Sequence, residues 1–108
     1  MATFTNATIL NVGTTATTVY APPAATKAII IGCSISNKSG GILPIDFWLR
    51  TTGPNDNYLL KQYRIGNGET FEMMKGNKLV ILPGQTLMAS CPVADSFTII
   101  VSALEGVA

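Results

Sequence analysis

Apolar and polar residues alternate with a period of two along most of this chain, and turn-forming residues interrupt the alternation roughly every 8–12 positions. No window carries a sustained helical stripe. A chain patterned this way buries one face of many short strands, which predicts an all-β fold: a two-sheet antiparallel β-sandwich, jelly-roll or immunoglobulin-like, of about eight short strands. With 108 residues it is long enough for one core and is read as a single domain over 1–108.

The expected strands follow from the breakers. Phe4 to Val12 is Thr-rich and ends at Gly13; Thr14 to Tyr20 stops at Ala21-Pro22-Pro23, since consecutive prolines donate no ladder hydrogen bond. Thr26 to Ser36 holds Ile29, Ile30 and Ile31, a β-branched run that predicts a mid-sheet strand buried on both faces. Asn37 to Gly41 is a turn. In Leu43 to Thr51, Ile45, Phe47 and Leu49 face one side, and Asp46, Trp48 and Arg50 the other. Thr52 to Asp56 is the longest polar loop. In Asn57 to Ile65, Tyr58, Leu60 and Gln62 are expected on one face, and Leu59, Lys61, Tyr63 and Ile65 on the other. Gly66-Asn67-Gly68 predicts a tight hairpin into Glu69 to Met74. Lys75-Gly76-Asn77 turns into Lys78 to Leu82, Pro83-Gly84 into Thr86 to Cys91, and Ser96 to Leu104 closes the set.

Charged residues make up 12 % of the chain, about half the usual soluble share of roughly 25 %. Mean hydropathy is positive, at +0.36. Exposed positions must therefore be filled largely by Thr, Ser, Asn and Gly, a surface that repels its neighbours weakly. This points to a subunit that hides surface in an assembly.

The same composition argues against chemistry. There is no histidine, and the six carboxylates are scattered singly, whereas acid–base or nucleophilic catalysis needs a tuned group beside a partner. The chain is read as not an enzyme and as needing no cofactor. A net charge of +1, with only Lys75 and Lys78 close together, offers no basic stripe for nucleic acid. No apolar run approaches a membrane span, and the first residues lack the basic and apolar regions of a signal peptide, so synthesis in a cytoplasm is expected. Cys33 and Cys91 fall in phase with Ile29, Ile31 and Ile35, and with Leu87 and Ala89. They are expected as buried reduced thiols, with no histidine to complete a zinc site.

Two motif fragments mislead. Gly66-Asn67-Gly68 lacks the third glycine and following helix of a dinucleotide fingerprint. Cys33, Trp48 and Cys91 imitate the immunoglobulin Cys…Trp…Cys order, but Ala89 stands where the tyrosine corner needs Tyr. The candidate contact residues are Trp48, Tyr58, Tyr63, Met73 and Met74, because aromatics and Met are enriched at interface cores. Trp48, Tyr58 and Tyr63 beside Asp46, Arg50, Asn55, Asp56 and Asn57 would alternatively suit stacking on carbohydrate.

The order of segments from Thr14 to the C-terminus resembles the small structural virion proteins of tailed bacteriophages. Val19-Tyr-Ala-Pro22 precedes the strand Thr26 to Ile31; Ile35-Ser-Asn-Lys-Ser-Gly-Gly41 turns; Ile45-Asp-Phe-Trp-Leu49 follows; Leu79 to Leu87 contains the turn Leu82-Pro-Gly-Gln85; and Phe97 to Glu105 closes. Ala21 to Ala25 replaces a shorter Pro-Ala-Gly turn, and Gln85 stands where an acidic residue is common. The resemblance implies a non-enzymatic capsid decoration or cement protein, acting as a trimer on the major capsid protein. Its alternative is a neck, tail or fibre component. Either way the protein is placed in the virion after synthesis in the host cytoplasm.

Overall fold

The computed structural model describes residues 2–51, 55–75 and 77–106. The turns expected at Thr52 to Pro54 and at Gly76 lie outside the described residues. Among these described residues nine strands follow in order: β1 (Thr3–Ile9), β2 (Thr17–Tyr20), β3 (Ala28–Asn37), β4 (Leu43–Thr51), β5 (Asn55–Ile65), β6 (Thr70–Glu72), β7 (Leu79–Ile81), β8 (Thr86–Ser90) and β9 (Phe97–Glu105). They form two antiparallel sheets. One has the order β1-β9-β3-β6, with β7 also on β3; the other is β2-β8-β4-β5.

This connectivity is that of a jelly roll. With β6 and β7 counted as one interrupted strand beside β3, the chain crosses between sheets at every connection except β4 to β5. The immunoglobulin alternative is excluded, because β1 and β2 lie in different sheets instead of beginning one sheet as neighbours.

The core is the space between the sheets. Phe97, Ile99, Val101 and Ala103 of β9 lie opposite Ile45, Phe47, Leu87 and Ala89 of the other sheet, and all eight are at most 1 % exposed. Pro44 sits within β4 without breaking it. Its ladder partner is Arg64 of β5, while pairing with β8 begins only at Asp46, so no central hydrogen bond is lost. Pro83-Gly84 forms a tight turn: the Gln85 amide donates to the Leu82 carbonyl at 3.1 Å, and Gly84 has φ 86°. Gln85 Oε1 accepts from the Leu82 amide at 3.0 Å, so an uncharged amide closes this turn.

Three sequence expectations change. First, β3 bonds to neighbours on both edges, but its outer face is open, with Ile31 42 % exposed. A register shift between Ile30 and Gly32 changes the phase, so Cys33 and Ile35 share the inner face with Ala28 and Ile30, not with Ile29 and Ile31. Second, Gly66 to Gly68 does not close a hairpin. It carries the chain from β5 in one sheet to β6 in the other. Third, β5 is bulged. Leu60 opposes Phe47 on the inner face and Tyr58 opposes Trp48 on the outer, so Tyr58 and Leu60 do not share a face.

Asn37 closes the sandwich at the β3–β4 corner. It is 2 % exposed. Its Nδ2 donates to the Gly41 carbonyl at 2.8 Å and to the Ile65 carbonyl at 2.6 Å, and its Oδ1 accepts from the Ser39 amide at 2.9 Å.

Candidate assembly surface

The outer face of the β2-β8-β4-β5 sheet carries a cross-strand row. Thr18 opposes Met88, Met88 opposes Trp48, and Trp48 opposes Tyr58. Leu87 and Ala89 point into the core, so Met88 between them points outward, as Trp48 does beside Phe47. Trp48 is nonetheless only 4 % exposed and Met88 5 %, and neither belongs to the inter-sheet core. The Trp48 and Tyr58 ring centroids are 5.3 Å apart at 44°, and Lys61 Nζ lies 4.4 Å from the Tyr58 centroid.

Arg50 and Asp56 border this row. Arg50 Nε and Nη2 donate to the two Asp56 oxygens at 2.8 and 3.3 Å. That hydrogen bonding raises the guanidinium pKa and lowers that of the carboxyl. The indole N–H of Trp48 adds a smaller lowering of Asp56, but its geometry falls short of a hydrogen bond, and among the described residues the buried Nε1 has no partner. Asp46 serves the β5 bulge: Oδ1 accepts from the Gln62 amide at 2.7 Å, where Gln62 has φ 50°, and Oδ2 lies 3.7 Å from Lys61 Nζ.

Tyr63, Met73 and Met74 lie elsewhere, at the rim where β5 faces β6. The Tyr63 ring is 4.6 Å from Phe71 across the gap between the sheets, and Lys75 Nζ is 4.9 Å from the Phe71 centroid. Met74 is buried in the core and Met73 packs against it; both border a shallow cleft with Leu59, Leu60 and Leu79. The five candidate residues are thus divided between an outer sheet face and the rim.

Neither cysteine is set up for chemistry. Burial, then the charge of Glu72, pushes the Cys33 thiol up to about 12. Burial also raises Cys91, whose thiol donates to the Val93 carbonyl at 3.0 Å. Among the described residues, no group of His, Cys, Asp or Glu is placed to hold a metal ion, and no helix is long and apolar enough to cross a membrane.

A second apolar surface was not legible from local sequence. On the outer face of the β1-β9-β3 sheet, Phe4 opposes Leu104, Leu104 opposes Ile29, and Ile29 opposes Val80 of β7. This row crosses the whole sheet. Phe4 is 74 % exposed and Val80 50 %. Ile31 and Ile100 are exposed beside it, and Ile100 sits between Thr8 and Ser34. Glu72 borders this face, but its Oε2 turns back to accept from the Cys33 and Met74 amides, each at 3.0 Å. Strand alternation marks Phe4, Ile100 and Leu104 as outward; only the register shows that they align.

No family model and no curated protein matches the chain. Among solved structures it is similar to that of Bacillus endospore appendages, described as a novel family of disulfide-linked pili. Identity is 11 %, the match covers 97 % of this chain and 87 % of that one, and the TM-score is 0.59. That likeness shows a shared fold. A pentameric capsid protein isolated from metagenomic phage sequences also matches, at 18 % identity over 93 % of this chain and 61 % of that one, with a TM-score of 0.39. A structure of infectious bursal disease virus, Gx strain, matches at 12 % identity over 99 % and 37 %, with a TM-score of 0.41.

Proposed function

We propose that this protein is a non-enzymatic structural subunit of a bacteriophage particle: a capsid decoration or cement protein, trimeric, seated on the major capsid protein. The observation that carries this reading is the outer face, charged only at its Glu72 border among the described residues, with its transverse row Phe4–Leu104–Ile29–Val80. An exposed apolar band framed by Thr, Ser and Asn is suited to burial against another protein. The sequence resemblance to phage virion proteins supplies the setting, and the fold shared with a pilus structure is compatible with a subunit that polymerises or tiles. The action is mechanical: bridging neighbouring shell subunits adds buried area that opposes internal DNA pressure. Tyr58, Tyr63 and Met73 offer further contact anchors on the second face and the rim.

A carbohydrate-binding role finds less support, because Trp48 is 4 % exposed and does not present its ring for stacking. The test is the number of copies per purified particle. Copies comparable in number to the shell subunits are expected. A count no larger than one ring would place the protein at the neck or tail and overturn the decoration reading.

A further inference from the structure

We infer that β1 is a self-recognition strand: its free edge pairs antiparallel with β1 of a second copy, about a two-fold axis through Asn6. This rests on the reading of the protein as an assembly subunit and names one of its contacts.

The four sheet edges differ. β2 is four residues long with a register shift between Thr18 and Tyr20. β6 and β7 are three residues each. β5 is long, but two register shifts and the positive φ of Gln62 distort it, and Asp56, Lys61 and Arg64 line it. Short strands, bulges and charges are the devices that keep sheet edges from pairing. β1 has none of them. Its seven residues, Thr-Phe-Thr-Asn-Ala-Thr-Ile, hold no charge and no proline, and their register with β9 is unbroken from Thr3–Glu105 to Ile9–Ile99. It ends its sheet, so among the described residues one row of its backbone N–H and C=O groups has no strand beside it.

The occupant follows from matching. Among the described residues, the edge equal to β1 in length and flatness is β1 of another copy. A two-fold contact sets the residue on the axis against itself and its neighbours against nearby residues of the same strand, so a strand of one charge sign would repel its copy, whereas this neutral one does not. The symmetry also fixes the register. Directly paired residues share a face, and a two-fold normal to the sheet keeps outer faces outward, so the axis must pass through a residue paired with itself. Full overlap of Thr3–Ile9 puts that residue at Asn6. Asn6 is exposed on the outer face with Phe4 and Thr8, while Ala7 and Ile9 pack on the core. An amide facing its own copy can donate and accept reciprocally. Phe4 then lies against Thr8 of the second copy, and the apolar rows of two subunits share one continuous sheet. In a trimeric assembly this contact would link a subunit of one trimer to a subunit of a neighbouring one.

The test is Asn6→Cys in the otherwise intact chain under mild oxidation, with Thr15→Cys, exposed in the bend before β2 and outside the apolar row, as the control for random collision. At the axis two Cα atoms lie close enough to be bridged, so the disulfide-linked dimer should exceed the control by at least roughly tenfold. Asn6→Lys, an exposed change that leaves the core untouched, should weaken self-association by at least roughly tenfold by placing like charges opposite each other. Absence of enriched Asn6→Cys dimer overturns the contact, as does Asn6→Lys associating like wild type. Wild-type protein that never self-associates also overturns it. None of these results changes the copy number per particle, which tests the functional reading separately.

Discussion

The Tyr20 hydroxyl donates a hydrogen bond to the Glu105 carboxylate, tying β2 of one sheet to the end of β9 in the other across 85 positions of sequence. Burial, reinforced by that bond and by the charge of Glu105, raises the pKa of the phenol above its ordinary value. The raised value is a statement about stability. In the unfolded chain the phenol ionises near pH 10, while in the fold it stays protonated, so its contribution is complete below about pH 10 and is lost as pH rises further. Cys33 adds a loss that begins earlier, above about pH 8.5, and continues to about 12. Urea unfolding at stepped pH should show stability falling from about pH 8.5 upward. Tyr20→Phe should reduce the slope only above about pH 10, leaving the Cys33 contribution. A flat profile across this range would contradict the assignment.

Asn37 is expected to be the costliest polar side chain to remove. Asn37→Ala leaves the buried Ile65 carbonyl without its amide donor, while the exposed Gly41 carbonyl keeps the Ser39 hydroxyl, a loss of about 1–3 kcal/mol. Asn37→Asp should cost more, because an acceptor then faces two carbonyls. Chemical denaturation of the two variants measures both, and Asn37→Asp at wild-type stability would refute the corner's role.

The thiols give a direct check on burial. Cys33 and Cys91 are both free and buried. Both should react slowly with a thiol reagent in the native protein, and both rapidly once unfolded. Rapid native labelling of either would contradict its placement.

Trp48 separates the outer face from the core. Its emission should be blue-shifted, since the ring is 4 % exposed. Trp48→Ala should cost about 1.5–3 kcal/mol from lost burial. That is less than the roughly 3–5 kcal/mol of a ring enclosed in a core, because water can fill the vacated site. A loss above that higher range would place the ring in the inter-sheet core.

Strand positions were legible because breakers and alternation are local. β4 matches its expected limits, and β3, β8 and β9 lie within about two residues of theirs, the ordinary uncertainty of strand ends. Face assignment failed where a bulge intervened. Local alternation carries no sign of the extra residue at Ile31, or of the one that sets Tyr58 against Trp48. The Gly66–Gly68 turn reads as a hairpin because a corner between sheets uses the same glycine chemistry. Trp48 was placed correctly opposite Ile45 and Phe47, yet its burial depends on Met88 and Tyr58, which only the register brings beside it. The apolar row from Phe4 to Val80 draws on four strands and so has no signature in any one segment.

The proposed function requires that the apolar row of the outer face and the β1 edge be buried in contacts with other subunits. Sedimentation equilibrium of the isolated protein over a wide concentration range tests it most directly, with Val80→Lys as the comparison. Wild type is expected to show reversible mass action to a defined oligomer, and Val80→Lys, which places a charge in the exposed row, to shift that equilibrium toward the monomer. A wild-type protein that remains strictly monomeric at the highest concentration, with Val80→Lys indistinguishable from it, would contradict the claim.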